Sequence, residues 1–141
     1  MRLRIPNRLE DVFSALHLAE ETLRRARHVD EGCRADVRLV LEELLVNTVR
    51  HGYPDGRDGH IDIDLRILTQ RVELELNDDG QAFDPGGHAP PDLPGDLADR
   101  DAGGLGLHLA RSIADTFTYS RGPKGNRVIL HFCPQAFDES P

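Results

Sequence analysis

The chain has 141 residues, 38% hydrophobic and 30% charged, enough apolar material for the core of one ordinary domain. Its formal net charge is −8 and no basic stripe stands out, which argues against nucleic acid as a direct partner. No run of about 18 or more apolar residues occurs, so no membrane-spanning helix is expected, and the start lacks the apolar stretch of a signal peptide; a cytoplasmic protein is expected.

Residues 2–5 alternate polar and apolar and predict a short strand closed by Pro6. Residues 8–27 predict a helix, with Leu9, Val12, Phe13, Leu16, Ala19 and Leu23 at helical spacing and Asn7 as its N-cap. Asp30 opens a second helix with an apolar face from Val37 to Val49, stopped at Gly52-Tyr-Pro54. Two strands follow, around Ile61–Ile67 and Val72–Leu76, joined by a hairpin at Thr69-Gln-Arg71.

Residues 84–102 carry four prolines, three glycines and no sustained periodicity, a stretch of the kind that is functional or mobile inside a compact domain. Residues 72–102 hold nine acids against one base, Arg100, which accounts for the whole net charge. After them, Gly103-Gly-Leu-Gly106 leads into a third helix, Phe117 and Tyr119 suggest a strand, and Val128, Leu130 and Phe132 a last one. The expected architecture is an α/β two-layer sandwich: three main helices on one face of a mixed, mostly antiparallel sheet of about five strands. Residues 1–133 are expected to form one domain and 134–141 a loose C-terminal tail. Cys33 and Cys133 lie far apart in no paired motif and read as reduced residues. None of the seven histidines has metal-ligand spacing, so no transition metal is expected.

Three motifs can carry chemistry. Glu43 and Asn47 are one helical turn apart and share a face. Asn47 offers a neutral oxygen to a hard cation such as Mg²⁺, and Glu43 could take a proton from an attacking hydroxyl. Glu42 points about 100° away from Glu43 and is the wrong residue for that role. Asp78-Asp-Gly80 places a carboxylate at a strand end, able to accept from an exocyclic amine, with Gly80 permitting close approach of backbone. Gly103, Gly104, Leu105 and Gly106 put glycines and free N–H groups at a helix start, suited to phosphate. Each also has a plainer reading: a solvated helix face, an Asp-Gly turn, a helix-initiating glycine pair.

The order of these motifs, closed by Gly125-Asn126 before the final strand, resembles the GHKL ATPase superfamily with its Bergerat nucleotide-binding fold. Within it the chain resembles the anti-sigma-factor serine kinases of the RsbW and SpoIIAB type, chiefly through residues 43–53. The resemblance covers about residues 1–133. It implies Glu43 as general base, Asn47 as Mg²⁺ ligand, Asp78 as the adenine reader, and Gly80 and Ala82 shaping that pocket. It further implies Gly103, Gly104, Leu105 and Gly106 along the triphosphate, residues 84–102 as an ATP lid, and Asn126 in the last glycine box. Arg100, the only base of the lid, or backbone N–H groups are expected to make any direct contact to ATP. Two positions depart from the pattern: Ala82 stands where a glycine is usual, and Thr48 where alanine is common.

The implied function is an ATP- and Mg²⁺-dependent serine kinase and anti-sigma factor. It would phosphorylate a STAS-domain anti-anti-sigma protein and sequester a sigma factor, as a homodimer. Two alternatives stand beside it: a nucleotide-responsive binding regulator without kinase activity, and a detached histidine-kinase ATPase domain.

Overall fold

The computed structural model describes residues 1–82 and 110–133. The elements in chain order are β1 (Arg2–Pro6), α1 (Leu9–Arg25), α2 (Glu31–His51), β2 (His60–Ile67), β3 (Val72–Asp78), β4 (Thr116–Gly122) and β5 (Gly125–Phe132). Residues 110–113 are helical as well. The strands form one sheet in the order β1-β2-β3-β5-β4. The expected five strands are present, and every pairing between them is antiparallel.

Period-two patterning decides which face is covered. Ile61, Ile63 and Leu65 on β2, Val72, Leu74 and Leu76 on β3, and Val128, Leu130 and Phe132 on β5 are buried on one side. Against them lie the apolar stripes of α1 (Val12, Leu16, Leu23) and α2 (Val37, Leu41, Leu44, Leu45). The opposite face is a lattice of charges: Arg4 with Asp62 at 2.7 Å, Arg127 with Glu75 at 3.2 Å, His131 with Glu73 at 3.1 Å, and Arg66 with Glu73. Partly exposed pairs of this kind contribute little to stability, and they mark that face as solvated.

Both helix ends of α2 form as expected. Asp30 accepts from the Cys33 N–H at 2.7 Å, and the Gly52 N–H closes on the Thr48 carbonyl at 2.8 Å. The N-terminus of α1 differs. Arg8 occupies the cap position with no side-chain cap bond, and Asn7 is used elsewhere. Its side chain accepts from the Gly59 N–H at 2.9 Å and donates to the Arg57 carbonyl at 3.1 Å, stapling the connection between α2 and β2 to the start of α1.

The cysteines also overturn an expectation. Cys33 and Cys133 form a disulfide, with Cα atoms 5.8 Å apart across a sequence separation of 100. The Asp30 cap sets Cys33 in the first turn of α2, and Cys133 directly follows β5 with a left-handed φ of 65°. Two residues remote in sequence therefore meet where a helix start lies over a strand end.

Candidate functional site

Helix α2 and the exit of β3 build the site. Asn47 is buried, and its Nδ2 donates to the Glu43 carbonyl at 2.7 Å, one turn back. The nitrogen end of the amide is thereby committed to the helix, which makes Oδ1 the end that can serve a cation. Glu43 is half-buried, and its carboxyl is held above the ordinary glutamate value. Burial is the main cause, neighbouring Glu42 adds to it, and Arg50 opposes both. A carboxylate so disfavoured as an anion is a better proton acceptor. Glu42 is engaged elsewhere. It pairs with Arg38 at 3.0 Å, and Arg38 also pairs with Glu20 of α1, so Glu42 helps hold the two helices together.

Asp78 ends β3 on the helix-facing side, in register with Asn126 on β5. Its Oδ1 accepts from the Gly80 N–H and from Asn126 Nδ2, each at 2.9 Å. Oδ2 has no protein partner among the described residues, which leaves an acceptor for an exocyclic amine. Burial raises the Asp78 carboxyl above its ordinary value; Asn126 and Gly80 pull it down, Asp79 pushes it up, and Arg121 opposes Asp79. Asn126 is buried and donates also to the Gln81 carbonyl at 2.8 Å. It thus reaches Asp78 directly and holds that carboxylate in place.

Gly80 joins the two halves of the site. A Cβ there would lie 2.8 Å from the Gly52 carbonyl oxygen and 2.9 Å from Asp78 Oδ1. The Gln81 N–H donates to that same Gly52 carbonyl at 2.8 Å, and Gln81 Nε2 to the His51 carbonyl at 2.7 Å. The end of α2 and the segment that follows Gly80 are therefore joined through Gln81, by one backbone bond and one side-chain bond. Ala82 is exposed. Arg100, Gly103, Gly104, Leu105, Gly106 and the 84–102 stretch lie outside the described residues.

Gly125, named from sequence only as part of the Gly125-Asn126 pair, has φ +137° and sits against the backbone of Asp78. One residue of this region, Asp79, was not given a role from sequence. Asp79 faces away from Asp78 and gathers the connection after α2. Its Oδ1 accepts from the Tyr53 hydroxyl at 2.7 Å and the His60 N–H at 3.0 Å, and Arg57 stacks over the Tyr53 ring at 5.0 Å. Burial, with Asp79 as acceptor, raises the Tyr53 phenol well above its ordinary value, so it stays a donor.

Among the described residues no group of three or more His, Cys, Asp or Glu could hold a metal, and no helix is long and apolar enough to cross a membrane. The donor set that is present, one amide oxygen on α2, suits Mg²⁺ that keeps waters and phosphate oxygens as its other ligands.

The histidine kinase-like ATPase domain family matches residues 5–132. The serine/threonine-protein kinase BtrW of Bordetella bronchiseptica is 32% identical over 105 residues, 73% of this chain and 74% of that one. The anti-sigma F factor of Clostridium botulinum is 27% identical over 68% of both chains, and the serine-protein kinase RsbW of Bacillus subtilis 28% identical over 57% of this chain and 52% of its own. The catalytic domain of the histidine kinase ThkA has the same fold, with a TM-score of 0.51 at 17% identity over 96% of this chain and 99% of that one. The chain belongs to the histidine kinase-like ATPase domain family, and its relatives set it among the serine-protein kinases and anti-sigma factors of the RsbW/SpoIIAB type.

Proposed function

We propose that this protein is an ATP- and Mg²⁺-dependent serine kinase of a partner-switching system. It would transfer the γ-phosphoryl group of ATP to a serine of a STAS-domain anti-anti-sigma protein, and hold a sigma factor when that partner is phosphorylated. The observation that carries the reading is the junction of α2 with the end of β3, made by the close approach of Gly80 to Gly52 and the bonds of Gln81 to Gly52 and His51, which ties the helix that carries Glu43 and Asn47 to the loop that carries Asp78. The anti-sigma and serine-kinase names of the relatives support the choice of partners.

Asp78 would accept from the adenine amine through Oδ2. Mg²⁺, held through Asn47 Oδ1, would neutralise phosphate charge when bound. Glu43 would take the proton of the attacking serine hydroxyl as its oxygen bonds to the γ-phosphorus and the bond to ADP breaks. Gly103, Gly104, Leu105 and Gly106 would line the triphosphate, Arg100 would contact it from the 84–102 lid, and Ala82 would border the base. Residues 1–133 would act as one domain, in a cytoplasmic homodimer.

The serine-kinase names of the relatives favour transfer over mere nucleotide-responsive binding. Phosphoamino-acid analysis after incubation with Mg-ATP and a STAS partner tests the reading. Acid-stable phosphoserine on the partner is expected. Acid-labile phosphohistidine would point to a histidine-kinase ATPase domain, and a complex without transfer to a binding regulator.

A further inference from the structure

Asp78, Asn126 and Arg121 are direct neighbours in register across β3, β5 and β4. Tyr119, two residues before Arg121, shares its face of β4. The Tyr119 hydroxyl donates to Asn126 Oδ1 at 2.6 Å. Arg121 Nη1 donates to the same oxygen at 3.2 Å and to the Gly80 carbonyl at 2.7 Å.

A carboxamide has a donor end and an acceptor end of nearly equal shape, so its neighbours choose the orientation. At Asn126 they leave one choice. Two donors converge on Oδ1, while two acceptors, Asp78 Oδ1 and the Gln81 carbonyl, meet Nδ2. The reversed amide would set oxygen against carboxylate and NH₂ against guanidinium. Tyr119 and Arg121 therefore determine that Asn126 donates to Asp78.

We propose that Tyr119 and Arg121 are positioning residues that act through Asn126 to hold Asp78 with Oδ2 toward the nucleotide, and so set the preference for a 6-amino over a 6-oxo purine. The proposal rests on Asp78 being the adenine reader. A 6-amino group donates to a carboxylate, whereas a 6-oxo group presents lone pairs that an ionised carboxylate repels. Discrimination thus needs Asp78 both ionised and fixed. The donors on Oδ1 supply both, since they favour the anion that burial disfavours. A protonated Asp78 could donate to a 6-oxo group, and the preference would collapse.

The test is equilibrium binding of Mg-ATP and Mg-ITP to the full chain, ITP carrying a 6-oxo group in place of the amine. Losing one such hydrogen bond changes affinity roughly fivefold, so Tyr119→Phe is expected to lower the ATP-over-ITP preference by about threefold to fivefold and Tyr119→Phe/Arg121→Met by about tenfold or more. Arg121→Lys, which keeps a charged donor, is expected to retain most of it. In kinase assays KM for ATP rises in the double variant and kcat does not, since these residues lie at the base and not at the phosphoryl group. Asp78→Asn is the control. A preference unchanged in Tyr119→Phe and in the double variant, but lost in Asp78→Asn, overturns the relay alone. A preference unchanged in Asp78→Asn overturns the reading of Asp78 and the relay with it.

Discussion

A Cβ at Gly125 would lie 1.9 Å from the carbonyl oxygen of Asp78. The head of β5 and the end of β3 are pressed together at that point, and φ +137° at Gly125 is a conformation that L side chains rarely adopt. Clash and strain act together, so Gly125→Ala should destabilise the fold by about 2–4 kcal/mol and displace Asp78. Urea unfolding and ATP binding check both effects; wild-type stability with wild-type affinity would contradict the close contact.

Asp78 and Asp79 are adjacent in sequence and opposite in role. Asp78→Asn removes the charged acceptor proposed for the adenine amine, and ATP affinity should fall by about tenfold to a hundredfold with little loss of stability. Asp79→Asn weakens the clasp on Tyr53 and His60 and should reverse the pattern, lowering the melting temperature more than the affinity. Calorimetry paired with thermal melts separates the two variants.

Much of the fold was readable in the residues. Alternation in Ile61–Ile67 and Val72–Leu76, the Asp30 cap and the Gly52 stop each report local geometry, so those elements formed where expected. The placement of Glu43 and Asn47 one turn apart on a single helix was readable too, because it depends on local periodicity alone. Relations that depend on register were hidden. Asn7 looks like a cap until Gly59 is folded against it, and Tyr119 and Arg121 look like ordinary strand residues until β4 is aligned on β5. The disulfide was missed for the same reason, its partners being 100 residues apart.

Glu43 gives opposite pH trends for stability and for rate. Its carboxyl is raised in the native state, so the folded chain binds that proton more tightly than the unfolded one. Its contribution favours the fold below about pH 4.5 and is lost as pH rises through the raised value. Asp78 runs the same way, whereas Asp62, Glu75 and Asp79 are lowered and contribute stability that is lost as pH falls through their folded values. Glu43→Gln should therefore gain stability relative to wild type as pH rises through the raised value of the Glu43 carboxyl. Phosphotransfer by the wild type should climb over the same interval. A stability difference independent of pH would count against a burial-raised Glu43.

Reduction of Cys33–Cys133 should lower stability without touching nucleotide affinity. A bridge closing a loop of this length contributes about 2–5 kcal/mol. The pair lies at the far end of the sheet from the site: Cys133 follows Phe132, which faces Val72, and Val72 is six residues, about 20 Å, along β3 from Asp78. Melting with and without a dithiol reductant, beside Cys33→Ser/Cys133→Ser, is expected to show a downward shift of equal size in both cases. ATP affinity that changes with reduction would contradict the separation.

The most direct measurement is single-turnover phosphotransfer from γ-labelled Mg-ATP to a STAS partner serine, with wild type and Glu43→Gln compared at saturating nucleotide. Glu43→Gln is expected to bind ATP and the partner like wild type and to transfer phosphate slower by about a hundredfold to ten-thousandfold, the usual share of a general base. Equal transfer rates from the two proteins, with binding intact in both, would contradict Glu43 as the base that makes this domain a kinase.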